Sequence, residues 1–143
     1  MLHSLIGPVE IDYALDLLLA MALGFALGAE RELRGKDAGI STHTLVIVGA
    51  MLFTFMSMTV DPASKSRIAA QIVSGIGFLG AGLIIKDGMS VKNLTTAASL
   101  WAAGAIGMAI GFGYSAIATV STLAMLIISR IPHLGKNRDG AES

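Results

Sequence analysis

Five apolar stretches, separated by short polar loops, occupy most of the chain and limit what it can fold into. They cover residues 13–29, 44–60, 68–85, 94–110 and 115–131. Because a helix needs about 20 mostly apolar residues to cross a bilayer, each stretch predicts one short transmembrane helix. The last two are divided at Gly111, Gly113 and Tyr114, since nearby glycines commonly mark a turn. We therefore predict an all-α integral membrane protein, with a bundle of five short transmembrane helices over residues 1–131 and a polar tail over residues 132–143.

The composition excludes several other classes of protein. Charged residues make up 14% of the chain, against about 25% in soluble domains. The net charge of zero gives no general argument for nucleic-acid binding. Without cysteine there is neither a disulfide nor a thiolate site. No arrangement of nucleophile and base and no phosphate-binding loop is visible, so we expect a protein that is not an enzyme and whose main surrounding is the lipid bilayer.

Lysine and arginine are distributed unequally between the two sides that five spans would create. One side carries Arg31, Arg34, Lys36, Lys86, Lys92, Arg130, Lys136 and Arg138, and the other carries Lys65 and Arg67. Cytoplasmic loops of membrane proteins are enriched in these residues. The chain is therefore predicted to be a multi-pass protein of the cell inner (plasma) membrane, with its N-terminus outside and its C-terminus in the cytoplasm.

Glycines are numerous and indicate close contacts between helices, because small residues let helix backbones approach in a membrane. Gly24 with Gly28 and Gly107 with Gly111 form G-x-x-x-G pairs. Span three is the richest in glycine, and we expect it at the centre of the bundle, in contact with spans one and four. Its glycines are Gly75, Gly77, Gly80 and Gly82.

Carboxylates near the predicted outer side have two interpretations. Asp16 lies well inside span one and one helical turn after Asp12, so the two share a face. Together with Asp61 they would form a vestibule that attracts cations, since ionisable groups inside spans are functional candidates. Alternatively, Asp16 pairs with Arg67 or Lys65 and locks spans one and three together. Gln71 lies in the same region, shortly after Arg67.

The predicted inner side also carries acidic residues with two interpretations. Glu30 and Arg34 are spaced to form an ion pair on a continuing helix. Alternatively, Glu30, Glu32, Asp37 and Asp87 converge into a site for Mg²⁺, which usually takes one or two carboxylates directly. The residue types permit this magnesium site, but their spacing in the sequence does not establish it.

Polar residues open spans two and four. Asn93 precedes Thr95 and Thr96 and is expected to cap span four through its side chain, although a helix start also suits an anion. His43 opens span two and is weak evidence for a metal, because no second histidine or cysteine lies at ligand spacing. Trp101 lies near the middle of span four, where we expect it to pack against another helix.

Four blocks of these residues resemble the MgtC/SapB family of membrane proteins. They are residues 28–31 (GAER), 38–46 (AGISTHTLV), 61–82 with RIAAQIVSGIGFLGAG over 67–82, and 93–101 (NLTTAASLW). Arg31, His43, Arg67, Gln71 and Trp101 all lie within these blocks. The resemblance implies five spans with the N-terminus outside. Ser41 departs from the pattern, since many relatives carry a basic residue there, and the soluble C-terminal domain of longer relatives is not expected in this short form.

The resemblance implies a role in magnesium homeostasis and a link to virulence. Family members resemble factors needed for growth in low magnesium and for survival inside host cells. Two functional hypotheses follow. In the first, the protein transports or senses a divalent cation such as Mg²⁺, attracted by Asp16 and by Glu30 with Glu32. In the second, it transports nothing and regulates another membrane protein such as the F-type ATP synthase, or forms a homodimer, through the faces at Gly24 with Gly28 or at Gly107 with Gly111.

Overall fold

The computed structural model describes residues 7–60, 62–88 and 90–131 and contains five helices with one small hairpin. The helices are α1 (Pro8–Leu33), α2 (Ile40–Val60), α3 (Arg67–Leu83), α4 (Leu94–Gly111) and α5 (Ser115–Ile128). Strands β1 (Ile85–Asp87) and β2 (Ser90–Lys92) pair antiparallel between α3 and α4. Each helix coincides with one predicted span. The hairpin was not predicted, because its three-residue strands follow the apolar residues of α3 without a separate sequence signal.

Three of the five helices are long and apolar enough to cross a membrane, namely α1, α2 and α4. At 26 residues α1 is longer than predicted, because the helix begins at Pro8, before the predicted start at residue 13, and continues through the polar sequence after residue 29. Helices α3 and α5 have 17 and 14 residues and are apolar but shorter. Five crossings and the orientation of the termini therefore stay predictions. The tail over residues 132–143 lies outside the described residues.

Helix α2 is held between α1 and α4 by glycine contacts that bring backbones together. A Cβ atom at Gly24 would lie 2.5 Å from the Cα atom of Thr44, and one at Gly28 would overlap the backbone of Ile40. On the other side of α2, a Cβ atom at Gly111 would lie 2.6 Å from the carbonyl oxygen of Met51. Both G-x-x-x-G pairs are therefore used inside the protein, as close helix packing predicts.

The prediction that span three lies at the centre of the bundle is wrong. Helix α3 packs at one side, against α4, as predicted, and against α2 in place of α1. Its buried residues form one narrow stripe, which consists of Ala69, Ile72, Ile76 and Gly80. A Cβ atom at Gly75, Gly77 or Gly82 would meet nothing within 4 Å. A high glycine content therefore does not identify the buried face of a helix, because the face depends on spacing along the helix.

The helices run so that the two groups of loops lie at opposite ends of the bundle. The end of α1, the start of α2 and the start of α4 meet at one end, which we call the basic end because Arg31, Arg34 and Lys36 lie there. The start of α1 meets the start of α5 at the opposite end, where Asp16 contacts Ser115. The turn predicted near Gly113 is confirmed, and Gly113 has φ of +83°, a conformation that glycine adopts readily.

Candidate functional site

Arg31 is a buried cation at the basic end, with only 4% of its surface exposed. It occupies the last turn of α1, and its Nη2 atom donates a hydrogen bond of 3.3 Å to the hydroxyl of Thr96 on α4. Its Nε atom is also buried and has no hydrogen-bond partner within the described part of the chain. Removing a cation from water is expensive unless partners compensate the charge. Burying the charged guanidinium group of Arg31 is therefore costly in free energy.

His43 lies beside this arginine, fully buried in the first turn of α2. Its Nδ1 atom is 3.1 Å from the carbonyl oxygen of Gly39, and its Nε2 atom is 3.2 Å from the hydroxyl of Ser99 on α4. Because a carbonyl only accepts, the proton of this contact is on Nδ1. The single proton of the Ser99 hydroxyl is directed at the carbonyl of Thr96 at 2.7 Å, so that carbonyl competes with Nε2 for it. His43 thus joins α2 to α4, with a polar partner within hydrogen-bond distance of each ring nitrogen.

Glu30 and Arg34 form the predicted ion pair, which the structure confirms. The Arg34 Nη1 atom is 3.3 Å from Oε1 of Glu30 and also donates to the carbonyl of Ser129, just after α5. Glu30 is 8% exposed, and its second carboxylate oxygen, Oε2, is buried without a hydrogen-bond partner in the described residues. The pair therefore connects the ends of α1 and α5 and places one carboxylate close to the cations of the basic end.

A cavity of about 310 Å³ opens next to this cluster, between the ends of α1, α4 and α5. Arg31, Arg34 and Lys36 line it together with the hydroxyl-bearing residues Thr95 and Ser99. Its remaining lining is largely apolar and comes from α4, from α5 and from the residues just after α5. The residues involved are Ala98, Ala102, Met125, Ile128 and Ile131. The cavity thus combines a cationic rim with an apolar wall.

The carboxylates predicted to hold Mg²⁺ are engaged separately. Glu32 accepts a hydrogen bond of 3.1 Å from the backbone N–H of Ile40. Asp87 forms an ion pair of 3.1 Å with Lys92 across the hairpin. Among residues 7–60, 62–88 and 90–131, no three acidic or histidine side chains are grouped so that they could hold a metal ion. The structure therefore does not bring Glu30, Glu32, Asp37 and Asp87 together, and their role as metal ligands stays a prediction.

At the opposite end, Asp16 has a different partner from the predicted ones. Its Oδ1 atom accepts a hydrogen bond of 3.3 Å from the hydroxyl of Ser115, which joins α1 to α5. The expected pairing of Asp16 with Lys65 or Arg67 would have joined α1 to α3. The structure shows this hydrogen bond to α5 in its place. Asp12 is exposed on the same helix. Asp61, the third carboxylate of the predicted vestibule, lies outside the described residues.

Asn93 is at the N-cap of α4, but the predicted hydrogen bond from its side chain to the helix is absent. Its backbone has φ of +64° and ψ of +13°, whereas a capping side chain requires an extended backbone. The side-chain amide instead donates a hydrogen bond of 2.5 Å to Asp37 in the loop after α1. Asn93 therefore attaches the start of α4 to that loop, while Thr95 is exposed at the cavity.

The prediction that Trp101 packs between helices is wrong, since 54% of the residue is exposed. Its neighbours Leu100, Ala103 and Gly104 occupy the buried face of α4 and leave Trp101 on the outer face. Gln71 is also exposed, on α3.

Gln71 lies at a second and larger cavity, which is an open groove of about 660 Å³ between α2 and α3. Gly49 and Gly75 line this groove, together with apolar side chains such as Leu45, Phe53 and Leu79. We call it the α2–α3 groove. A Cβ atom at Gly49 or Gly75 would meet nothing within 4 Å, so both positions are open to an incoming group.

Several residues of the basic end were not predicted from the sequence. Ser99 lies three positions after Thr96, so both are on one helix face, and that spacing could have identified it. The pairing of Arg34 with Ser129 and the contribution of Lys36 to the cavity depend on contacts between residues distant in sequence. No local pattern predicts these contacts.

Comparison with known proteins places these features in a family. Residues 17–134 match the model of the MgtC family. Relatives named Protein MgtC include one from Salmonella typhimurium strain LT2, 52% identical over 114 residues that cover 80% of this chain and 49% of that protein. Another is from Brucella abortus strain 2308, 46% identical over 113 residues that cover 78% of this chain and 48% of that protein.

The chain thus spans about half the length of the curated relatives that it matches. No solved structure matches it significantly. The matched region includes α2, α3, α4 and α5 completely, and it contains Arg31, His43 and the cationic cavity. With its long apolar helices and these relatives, the chain is a membrane protein that belongs to the MgtC family.

Proposed function

We propose that this protein acts in magnesium homeostasis by binding another membrane protein, and that it neither conducts a divalent cation nor acts as an enzyme. The magnesium role comes from the family resemblance. We further propose that it resides in the inner membrane and crosses it five times, with the basic end in the cytoplasm. The concentration of Arg31, Arg34, Lys36, Lys86 and Lys92 at that end supports this orientation through the positive-inside rule.

The observation that carries the proposal is the open α2–α3 groove. It extends along α3 from Ile68 to Leu79, about 16 Å of helix at 1.5 Å per residue. Its lining is apolar apart from a few positions near the two ends, and Gly49 and Gly75 leave space for a close approach. Helices associate in membranes where small residues allow their backbones to approach. We therefore assign the groove to a transmembrane helix of a partner protein.

The two docking faces suggested by the sequence are not available for this purpose. Gly24 and Gly28 face α2 from one side, and Gly107 and Gly111 face it from the other. A partner helix at either face would have to displace α2 from the interior. Gly49 of α2 and Gly75 of α3 are open instead, so we assign to them the contact with a partner helix that the second hypothesis gave to those pairs.

Transport of a divalent cation receives less support. The more deeply buried of the two buried charged residues at the basic end is Arg31, and two further cations line the adjoining cavity. Positive charges repel an entering Mg²⁺ ion. The nearby carboxylate of Glu30 is already paired with Arg34.

The binding proposal is tested by cross-linking from the groove in cells that need this protein for growth in low magnesium. Because the chain has no cysteine, a Leu79→Cys variant carries a single thiol in the groove. A Leu123→Cys variant is the matched control, since Leu123 is similarly exposed but lies on α5. We expect a bifunctional thiol reagent to join Leu79→Cys to a subunit of the F-type ATP synthase, the partner that the resemblance implies. The control should give no such product.

A growth assay connects the groove to function. Gly75→Leu should fill the groove and abolish growth in low magnesium, whereas Gly77→Leu, on an open surface outside the groove, should support growth. Cross-linking of Leu79→Cys only to a second copy of the chain would show a homodimer in place of the proposed partner. Mg²⁺ flux into vesicles that contain only this protein would refute the non-conducting role.

A further inference from the structure

We infer that the cavity at the basic end binds the phosphate group of an anionic ligand, and that this ligand is a phospholipid headgroup. This cavity is the one of about 310 Å³ lined by Arg31, Arg34 and Lys36. It is separate from the α2–α3 groove, because its walls come from α1, α4 and α5. The inference therefore does not depend on the proposed protein partner.

The side chains that line the cavity include three cations and no carboxylate, namely Arg31, Arg34 and Lys36. The carboxylates of the same segment are engaged outside the lining, since Glu30 pairs with Arg34 while Glu32 and Asp37 accept hydrogen bonds from the backbone of Ile40 and the amide of Asn93. The surface of the cavity is therefore positive. Lys36 is exposed and forms no ion pair with another described residue. An anion at the cavity would compensate the positive charge of its lining, which otherwise costs free energy beside an apolar wall.

The guanidinium group of Arg31 has hydrogen-bonding capacity that the described residues do not use. The Nε atom of Arg31 is buried without an acceptor, although its Nη2 atom reaches Thr96. Buried donors are normally satisfied, and one that is not requires an explanation. Arg31 lines the cavity, where the hydroxyls of Thr95 and Ser99 add polar groups. Arginine forks and lysine ammonium groups are the side chains that bind phosphate oxygens most strongly.

The apolar part of the cavity favours a lipid over free phosphate. Ala98, Ala102, Met125 and Ile128 form a wall directly beside the cations. A free phosphate ion would leave this wall uncovered, whereas the acyl chains of a phospholipid would cover it. The cavity also lies where three helices end, the level at which headgroups lie in a bilayer. Basic pockets between helices at the cytoplasmic side of membrane proteins are known to receive anionic headgroups.

The test measures lipid binding to the full chain in detergent micelles by native mass spectrometry. The probes are dioleoylphosphatidylglycerol, which is anionic, and dioleoylphosphatidylcholine, which carries no net charge. The test variant is Lys36→Gln, which removes an exposed cation of the cavity and breaks no contact between the helices. The control variant is Lys86→Gln, which removes an exposed cation of β1 at the same end of the bundle but outside the cavity.

We expect the native chain to bind phosphatidylglycerol more tightly than phosphatidylcholine. Lys36→Gln should weaken phosphatidylglycerol binding about fivefold, the effect of one cation near an anionic lipid surface, and Lys86→Gln should leave it unchanged. A separate titration with inorganic phosphate identifies the source of the anion. No displacement of the lipid by phosphate supports a headgroup, and displacement that is weakened in Lys36→Gln supports free phosphate. Equal binding of the two lipids, or equal effects of the two variants, would overturn the inference.

Discussion

Replacing Gly107 with alanine tests whether α4 contacts α2 through backbone atoms. A Cβ atom at this position would overlap the carbonyl of Ile47 and lie 2.8 Å from the Cβ atom of Ala50. Neither neighbour can rotate away, because one is backbone and the other has no side-chain torsion. Gly77 is the matched control, since it also lies in a helix but a Cβ atom there would meet nothing within 4 Å.

The expected change in the free energy of unfolding of Gly107→Ala follows from two opposing effects. Alanine lowers the cost of a helix by about 1 kcal/mol relative to glycine, while an extra methyl group in a packed interior costs about 1–3 kcal/mol. The contact at Gly107 is with backbone, so we take the upper half of that range and expect a net loss of about 1–2 kcal/mol. At Gly77 no steric cost opposes the higher helix propensity of alanine, so Gly77→Ala should stabilise the protein by about 0.5–1 kcal/mol. The two variants should therefore change the free energy of unfolding in opposite directions.

Reversible unfolding in mixed micelles, with SDS added in steps, measures both changes. Trp101 is the only tryptophan and provides the fluorescence signal. Equal changes for Gly107→Ala and Gly77→Ala would refute the close packing of α2 and α4. A stabilised Gly107→Ala variant would show that the interface is open enough to accept a methyl group.

Three further predictions concern hydrogen bonds that join the helices. Thr96→Val keeps the shape of the side chain but removes the hydroxyl that accepts from Arg31, so it should lower the free energy of unfolding by about 1–3 kcal/mol. The control variant Thr95→Val should have little effect in the same assay. Ser57→Ala removes a hydroxyl that donates to Lys65 and accepts from the N–H of Ala69, and it should cost about 1–2 kcal/mol; an unchanged unfolding midpoint would contradict this role. Asn93→Ala should be less stable than Asn93→Gly by about 1 kcal/mol, because glycine accepts the left-handed backbone at this position without strain and alanine does not. A more stable Asn93→Ala variant would disprove this backbone conformation.

The helices were predictable from the sequence, but their arrangement was largely not. Apolar length located each helix, and the turn at Gly113 separated the last two. The position of α3 was predicted wrongly, because the prediction used the number of its glycines and not their spacing along the helix. Gly75, Gly77 and Gly82 lie outside the buried stripe that contains Ile72 and Ile76, and a Cβ atom at any of the three would meet nothing within 4 Å.

The polar contacts show the same limit. The pair Glu30 with Arg34 was predicted because it depends only on helical spacing. The hydrogen bond from Asn93 to Asp37 joins residues that are 56 positions apart, and its formation depends on how α4 is placed beside the loop after α1. A sequence gives the chemical type of such groups but not the distances between them, which the packing of apolar helices decides.

The backbone contacts around α2 divide the bundle into parts of unequal stiffness. At Gly24, Gly28 and Gly107 the neighbouring atoms are mostly main chain, so sliding of α1 or α4 along α2 would produce immediate steric overlap. Helix α3 instead meets α4 at Gly104 through the end of the Ile76 side chain, which can change its rotamer. We therefore expect α1, α2 and α4 to move as one rigid body. Any shear motion of the protein would consequently widen or narrow the α2–α3 groove first.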